Sequence, residues 1–279
     1  KTSYAFTVTA TDADGDGSAT ASAAKAVTIS LVDINEAPAN TIANATKTTA
    51  EDTAVTIDGL SVADVDAGDT SLTVTLTSTN GTLSVANNVT SGLDGSGIAG
   101  SGTGTVTLTG TITAINATLA GTDAVQFTPT LNFTGAAAIS ITSKDDENLQ
   151  DVDADAVGVT VTAVDDAPEV TSSATGTANE ENSDLAIYTA TASDVESEAI
   201  TFTLGGADAS LLEINPSTGV VSLKSQANFE SGKTSYAFTV TATDADGDGS
   251  ATASAAKAVT ISLVDINEAP ANTIANATK

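Results

Sequence analysis

Acidic residues alternate with alanine and glycine in a short run, DADGDG, that occurs at 12–17 and again at 244–249. Carboxylate oxygens are the ligands that Ca²⁺ prefers in proteins. An EF-hand loop needs such oxygens at its positions 1, 3 and 5, glycine at position 6 and a bidentate glutamate at position 12. The first run fits up to its glycine, but its position 12 is Ala23 and no helical pattern flanks it. The EF-hand interpretation therefore fails, and either another kind of calcium site or a solvated polar turn is left.

Most other acids also occur in short clusters at the ends of strand-like runs, not evenly along them. Two carboxylates about 4 Å apart repel by roughly 4 kcal/mol at an effective dielectric constant near 20. Several together favour a hard cation among them, and the absence of His and Cys argues against a softer transition metal. The further clusters are EDT at 51–53, DVDAGD at 64–69, KDDEN at 144–148, NEENSD at 179–184, DVES at 194–197 and NFE at 228–230.

The composition excludes several classes of function. The chain of 279 residues has 36 Asp and Glu against 8 Lys and no Arg, a net charge of −28. Such a charge excludes nucleic acid and anionic membrane surfaces as partners, since both are bound through Lys and Arg. Without His or Cys, every catalytic arrangement based on those residues is excluded, and a glycosidase pair of acids would lack an aromatic platform for sugar in a chain that is 3% aromatic. We expect no enzymatic activity.

Residues 1–47 are identical to residues 233–279. The chain therefore spans one full period of a tandem array and the start of the next. We expect that Lys1 lies inside a domain, so the lack of a signal peptide at this point is uninformative. No apolar run is long enough for a transmembrane helix, and we expect no membrane insertion in this segment.

Alternation with period two dominates the sequence, as in YAFTVTAT at 4–11 and SLTVTLTS at 71–78. Threonine suits the solvated face of half-buried strands, and strict alternation is typical of antiparallel sheets. No stretch has helical spacing, and the GS-rich stretch at 91–105 is expected to be a solvated loop. The prediction is an all-β chain of tandem antiparallel β-sandwich domains, immunoglobulin-like or cadherin-like, arranged as an extended rod.

Three acidic segments that contain proline divide the array, because each proline ends the strand before it. They are VDINEAPA at 32–39, VDDAPE at 164–169 and VDINEAPA at 264–271. We predict two unlike repeat types, a longer type A and a shorter type B. The predicted pieces are the end of a type B repeat at 1–37, a type A repeat at 38–166, a type B repeat at 167–268 and the start of the next type A repeat at 269–279.

The type B repeat resembles a cadherin repeat along its whole length. The matching motifs are Glu181–Asn182, ASDVE at 192–196, INPSTGVVSL at 214–223, NFE at 228–230, VTATDADG at 240–247 and VDINEAP at 264–270. The type A repeat resembles the cadherin-like repeats of giant bacterial surface proteins through AEDTAVTI at 50–57, VADVDAGD at 62–69 and FTPTLNFTG at 127–135. Together they look like the extender region of a large RTX-type bacterial adhesin.

The resemblance implies that Ca²⁺ is held where one repeat meets the next, by residues of both repeats and of the linker. The implied ligands of the first junction are Asp33, Asn35, Glu36, Asp64, Asp66 and Asp145. Those of the second are Glu51, Asp165, Asp166, Asp194, Glu196 and Asp244, and those of the third are Glu181, Glu230, Asp265, Asn267 and Glu268. The DADGDG runs add Asp12, Asp14 and Asp246. The linkers are shorter than the usual cadherin linker, so one or two ions per junction are expected.

The function that the resemblance implies is a calcium-rigidified structural spacer in a large extracellular bacterial adhesin or surface filament, which projects a binding tip from the cell. Its partners would be neighbouring repeats of the same chain, with possible lateral self-association. The alternative is an adhesive module for homophilic or lateral association or for glycan binding. Exchange of a Trp-bearing strand, as in animal cadherins, is impossible because the chain has no Trp.

Overall fold

The computed structural model describes residues 3–12, 20–32, 34–65, 71–145, 155–180, 185–245 and 252–269. The chain forms two compact units, unit 1 at Lys1–Thr162 and unit 2 at Ala163–Lys279. Both are built from β-strands with apolar cores between sheets, which confirms the all-β sandwich prediction. Within the described ranges, no helix has the length and apolar character needed to cross a membrane.

Unit 1 begins with a separate hairpin of strands β1 (Ser3–Val8) and β2 (Lys25–Ser30). The remaining strands form a six-stranded sheet in the order β4-β13-β12-β7-β10-β9, a three-stranded sheet β5-β11-β8 and the pair β3-β6, counted over the described residues. Their bounds are β3 (Ala39–Ile42), β4 (Thr46–Ala50), β5 (Val55–Thr56), β6 (Leu60–Ala63), β7 (Ser71–Ser78), β8 (Gly81–Val85), β9 (Ile98–Ala99), β10 (Thr105–Thr111), β11 (Val125–Pro129), β12 (Gly135–Lys144) and β13 (Asp155–Thr162).

The predicted alternation is present in the strands of the core. In β7, Leu72, Val74 and Leu76 are buried, while the threonines between them face the opposite side. Phe127 on β11 is fully buried, and Phe133 packs against the same core. The burial of one side of each strand is what fixes the register of the sheets.

The prediction that no segment is helical was wrong at one place, where an α-helix, α1, spans Ile112–Leu119. Its N-cap is Thr111, whose hydroxyl accepts a hydrogen bond from the N–H of Ala114 at 3.2 Å. Ile115 and Leu119, four residues apart, are buried against the core. The helix has only eight residues and is rich in β-branched side chains, so its periodic signal is weak.

The expectation of a solvated loop at 91–105 was wrong for part of that stretch, although most of its residues are exposed. The stretch contains β9, which pairs with β10, and Leu93 is buried in the core of unit 1. The N–H of Leu93 donates to the hydroxyl of Thr118 on α1 at 2.7 Å. Ile98 of β9 also packs against this core, and the many glycines and serines around Leu93 and Ile98 obscure that signal in the sequence.

Unit 2 is smaller and has a four-stranded sheet β15-β22-β21-β18, a three-stranded sheet β16-β20-β19 and the pair β14-β17 among its described residues. Two short 3₁₀ helices lie at Ala209–Leu211 and Phe229–Ser231. The strands are β14 (Glu169–Val170), β15 (Thr175–Asn179), β16 (Ala186–Thr189), β17 (Ala192–Ser193), β18 (Thr201–Gly205), β19 (Leu212–Ile214), β20 (Val220–Leu223), β21 (Ser235–Thr243) and β22 (Lys257–Val264).

Among the described residues, one parallel strand pair occurs in the main sheet of each unit, and the other strand pairs are antiparallel. Strand β4 runs parallel to β13 in unit 1, and β15 runs parallel to β22 in unit 2. In each case an early strand lies beside the last strand of its unit. This arrangement places the residue after β15 next to the segment that follows β22.

Candidate metal centre

Three carboxylates of unit 2, those of Asp165, Glu198 and Asp244, form the first cluster. Each offers one oxygen, and these oxygens lie within 4.8 Å of one another. Asp244 is only 3% exposed, and the other two side chains are half-buried. Like charges at this spacing repel where water is partly excluded, and a cation among the three oxygens would offset that repulsion.

Asp244 is held in place by Thr252, eight residues later in the chain. It directly follows β21, and its Oδ1 accepts the backbone N–H of Thr252 at 2.8 Å. Its Oδ2 accepts the hydroxyl of Thr252 at 2.7 Å. Both oxygens keep further lone pairs, so these bonds orient the carboxylate without preventing it from binding a cation.

Glu198 belongs to an acidic stretch in which every second residue is an acid. Asp194, Glu196 and Glu198 are half-buried, and the residues between them are exposed. The N–H of Glu198 donates to Asp194 Oδ1 at 3.3 Å, and the N–H of Asp166 donates to Glu196 Oε2 at 3.4 Å. The local chain therefore gathers several carboxylates around the first cluster.

Two oxygens near this cluster are buried without a hydrogen-bond partner among the described residues, Oδ2 of Asp166 and Oδ2 of Asp194. A buried carboxylate oxygen without a partner is costly, and such atoms commonly mark a site for water or an ion. The described lysines of unit 2 have their ammonium groups elsewhere. Lys233 pairs with Asp208, Lys257 donates to the carbonyl of Val170 and Lys224 donates to that of Ser210.

The second cluster consists of Glu180, Glu230 and Glu268, again with one oxygen from each within 4.8 Å of the others. Glu180 follows β15 and is fully buried. Its Oε1 accepts the N–H of Ile266 at 2.9 Å, and its Oε2 accepts the N–H of Phe229. Those two N–H groups hold the pKa of Glu180 below its usual range, against the opposing effect of burial.

The two clusters lie at opposite ends of the main sheet of unit 2. Asp244 follows β21 and Glu268 follows β22, and these neighbouring strands are antiparallel. Each cluster also takes one carboxylate from a proline-containing acidic segment, Asp165 from 164–169 and Glu268 from 264–271. Unit 2 therefore has a triad of acids at each pole, and a connecting segment contributes to each triad.

Two of the predicted ligands in unit 1, Asn35 and Asp145, contact each other. The side-chain amide of Asn35 donates to Asp145 Oδ2 at 2.7 Å, although the two residues are 110 positions apart. Asp145 is 5% exposed, Asp64 is half-buried and Glu36 is exposed. Glu51, which follows β4, is 3% exposed, and its N–H donates to the carbonyl of Thr162.

Other predicted ligands take separate positions. In unit 1, Asp12 accepts the N–H of Thr20 at 2.8 Å and is exposed. Asp265 and Asn267 are exposed in the segment between β22 and Glu268. Asp14, Asp33, Asp66, Glu181 and Asp246 lie outside the described residues.

The sequence-based set did not include Glu180 and Glu198. Both could have been found from alternation. Gly176, Ala178 and Glu180 occupy the more buried positions of β15 and its continuation, and Glu198 continues the series of Asp194 and Glu196. The cadherin-like motifs pointed instead to the neighbouring Glu181 and ended at Glu196.

The residues present fit Ca²⁺. Calcium–oxygen distances of 2.3–2.6 Å allow two ligands of one ion to be up to about 5 Å apart, so the 4.8 Å spacing lies within reach of a single ion. All donors in both clusters are carboxylate oxygens. The spacing, the donor type and the partly exposed position match the flexible coordination that Ca²⁺ accepts.

No protein-family model and no curated protein sequence matches the chain. Among solved structures, the mouse cadherin-23 fragment EC22-24 superimposes with a TM-score of 0.48 and 17% identity, over 95% of this chain and 76% of the fragment. Protocadherin gammaB7 EC3-6 superimposes with a TM-score of 0.46 and 17% identity, over 94% of this chain and 58% of that fragment. Human mucin-like protocadherin EC1-2 superimposes with a TM-score of 0.42 and 14% identity, over 81% of this chain and 98% of that fragment. The chain spans just over half of the protocadherin gammaB7 fragment.

Proposed function

We propose that the chain is part of a calcium-rigidified spacer in a large extracellular protein, and that its repeats hold a binding tip away from a bacterial cell surface. One observation carries the proposal: unit 2 has an acidic triad at each pole, and each triad includes a carboxylate from a connecting segment. A spacer needs its stiffness at the connections between repeats. Carboxylates of one repeat and its connector that share an ion would supply this stiffness.

Asp165, Glu198 and Asp244 would hold an ion at one pole, and Glu180, Glu230 and Glu268 would hold another. The bound ion supplies positive charge that offsets the repulsion among the carboxylates. The cadherin resemblance also predicts Glu51, Asp166, Asp194 and Glu196 as calcium ligands of the second junction, and this prediction is part of the same proposal. Ligation that occurs only in the folded state also stabilises the fold, by about 2.7 kcal/mol per site when calcium exceeds the dissociation constant 100-fold.

The exact repetition of residues 1–47 at 233–279 supports a spacer in preference to a catalyst. A spacer depends on length and rigidity, so no position in one period needs a function different from the same position in the next. The charge of −28 fits a surface that stays solvated and unassociated until cations bind. The cadherin-like motifs of the sequence support the extracellular location and the bacterial adhesin assignment.

Calorimetric titration of the full chain with Ca²⁺ tests the proposal directly. We expect saturable binding with at least two sites per chain, and an increase in the maximum dimension from small-angle X-ray scattering when calcium replaces chelator. Titration with Mg²⁺ is the matched control, because Mg²⁺ demands shorter and more regular coordination and should bind more weakly. A chain that takes up no calcium at millimolar concentration would contradict the proposal.

The alternative of an adhesive module predicts a different result in the same samples. Lateral or homophilic association would make the mass from sedimentation depend on protein concentration, and glycan binding would appear on a glycan array. A monomeric chain that lengthens with calcium and binds no glycan favours the spacer.

A further inference from the structure

The hairpin of β1 and β2 exposes one apolar face. The exposed fractions are 48% for Phe6, 50% for Val8, 51% for Ile29 and 52% for Leu31. Single exposed apolar residues are ordinary, but a contiguous row on two paired strands indicates an interaction surface. The hairpin also has open edges, since β1 and β2 pair only with each other among the described residues.

A covered copy of the same face exists in unit 2, because residues 233–279 repeat residues 1–47. There the exposed fractions are 2% for Phe238, 0% for Val240, 0% for Ile261 and 6% for Leu263. Identical sequences have identical intrinsic preferences. The whole difference in burial is therefore caused by what packs on the strands.

The exposed hairpin already has the conformation of the covered one. All six residue pairs of β1 and β2, such as Phe6 opposite Val27, recur between β21 and β22, where Phe238 is opposite Val259. The bond from Thr20 N–H to Asp12 recurs from Thr252 N–H to Asp244 at the same 2.8 Å. A surface arranged in this way needs little reorganisation to accept the partner that the covered copy has.

In unit 2 that partner is the segment 163–232. Its strand β18 lies along the outer edge of β21, and its strand β15 lies along the outer edge of β22. Its other sheet, β16-β20-β19, covers the apolar face with Ile187, Val221 and Leu223, and the ring of Tyr188 meets that of Phe238 edge-on at 5.7 Å. One segment therefore closes both edges and the face.

Polar contacts add specificity to this packing. Asp208 accepts a hydrogen bond from the N–H of Ala237 at 2.7 Å. The carbonyl of Val170 accepts a hydrogen bond from the ammonium group of Lys257 at 2.9 Å. In the exposed hairpin the residues equivalent to Ala237 and Lys257 are Ala5 and Lys25. The hairpin therefore carries the polar groups that this segment recognises.

We propose that the apolar face and open edges of β1–β2 form a docking site for a polypeptide segment with the sequence of residues 163–232, which completes a second sandwich of the unit 2 type. A second copy of the hairpin is a poorer occupant, because stacking two hairpins covers the apolar faces but leaves the edges of both unpaired. Strand complementation of this kind derives affinity from main-chain bonds and specificity from side-chain pockets.

The test uses the full chain with Tyr4→Trp, since the chain has no other Trp. Tyr4 is 48% exposed, and its equivalent Tyr236 is 7% exposed, so a Tyr236→Trp variant gives the reference for a covered indole. The probe is a polypeptide of residues 163–232, added in chelator and moderate salt because both partners are acidic. We expect acrylamide quenching of Tyr4→Trp to fall to the level of Tyr236→Trp, with saturation at one segment per chain.

Two further variants separate docking from non-specific association. Adding Ile29→Asp should weaken binding at least 100-fold, because Ile261 is fully buried in the covered copy. Adding Thr28→Asp introduces the same charge but should leave binding nearly unchanged, because its equivalent Thr260 stays exposed in the covered copy. Equal effects of the two substitutions would overturn the proposal.

A fused chain guards against poor behaviour of the free segment. Placing residues 163–232 directly before Lys1 recreates the natural junction of Gly232 with Lys233. The indole of Tyr4→Trp should then be as protected as that of Tyr236→Trp. Continued exposure in the fused chain would overturn the proposal, as would a dimeric unfused chain in which the indole is already protected.

Discussion

Glu180 binds the segment that follows β22 through a hydrogen bond from the N–H of Ile266 to its Oε1, at 2.9 Å. A second N–H, that of Phe229, donates to the other oxygen, so one buried carboxylate joins β15, the 3₁₀ turn at Phe229–Ser231 and the start of the connector. Through these hydrogen bonds, the Glu180 carboxylate connects the chain segments at the second pole of unit 2 without a bound ion.

The stability of unit 2 should therefore decrease in acid. The N–H groups of Phe229 and Ile266 hold the pKa of Glu180 below its ordinary value of 4.5. The folded state binds this proton less tightly than the unfolded chain, so the contribution is complete above pH 4.5 and is lost as pH falls through the lowered pKa. Thermal unfolding in chelator, followed by circular dichroism between neutral and acid pH, measures this loss.

The matched control for that prediction is a pair of glutamate substitutions. Glu180→Gln should lower the melting temperature at neutral pH and reduce its dependence on pH in the acid range. Glu213→Gln, at an exposed position of β19, should leave both nearly unchanged. A profile of Glu180→Gln that parallels the original chain would contradict the role given to this carboxylate.

Phe6 and Phe238 allow the effect of context to be measured on one residue type. Phe238→Ala should destabilise unit 2 by about 3–5 kcal/mol, because it removes a ring that is 2% exposed and leaves a cavity. Phe6→Ala should change the free energy of unfolding by less than about 0.5 kcal/mol, because the ring lies on the exposed hairpin. Urea unfolding of the two variants measures both values, and similar losses would mean that the hairpin is covered in solution.

Asp244 and Asp12 form a corresponding pair for calcium. Both accept the N–H of the threonine eight residues later at 2.8 Å, but only Asp244 belongs to a carboxylate triad among the described residues. Asp244→Asn should weaken calcium binding at one site by about 10–100-fold or more, since even residues that only support metal ligands have effects of this size. Asp12→Asn should leave the affinity of that site unchanged in calorimetric titration. If the two variants lost affinity equally, the first cluster would not be the site.

The sequence was sufficient to predict the sandwich and which side of each strand faces the core. Alternating apolar residues such as Leu72, Val74 and Leu76 are the ones that are buried. It was not sufficient for α1, where the cap at Thr111 and contacts with the core outweigh weak helical spacing. The choice between Glu180 and its neighbour depends on the register of β15 beside β22, which tertiary pairing fixes.

The sequence likewise predicted only part of each acidic triad. The resemblance assigned Asp165 and Asp244 to the same junction, and the fold of unit 2 brings their carboxylates together. Glu198 was missed because motif matching ended two residues earlier. Local alternation would have continued the series, so physical periodicity was the better guide at this position.

The stretch at 91–105 gives a last prediction, about how firmly a GS-rich segment is packed. Leu93 is 7% exposed within the core of unit 1, whereas Leu131 in the same unit is 75% exposed. Leu93→Ala should lower the free energy of unfolding of unit 1 by about 2–4 kcal/mol, within the range for buried leucines, and should release β9 from β10. Leu131→Ala, the same change at the surface, should cost less than about 0.5 kcal/mol. Urea unfolding and limited proteolysis compare the two, and a Leu93→Ala chain as stable and as resistant as Leu131→Ala would mean that the stretch is a solvated loop after all.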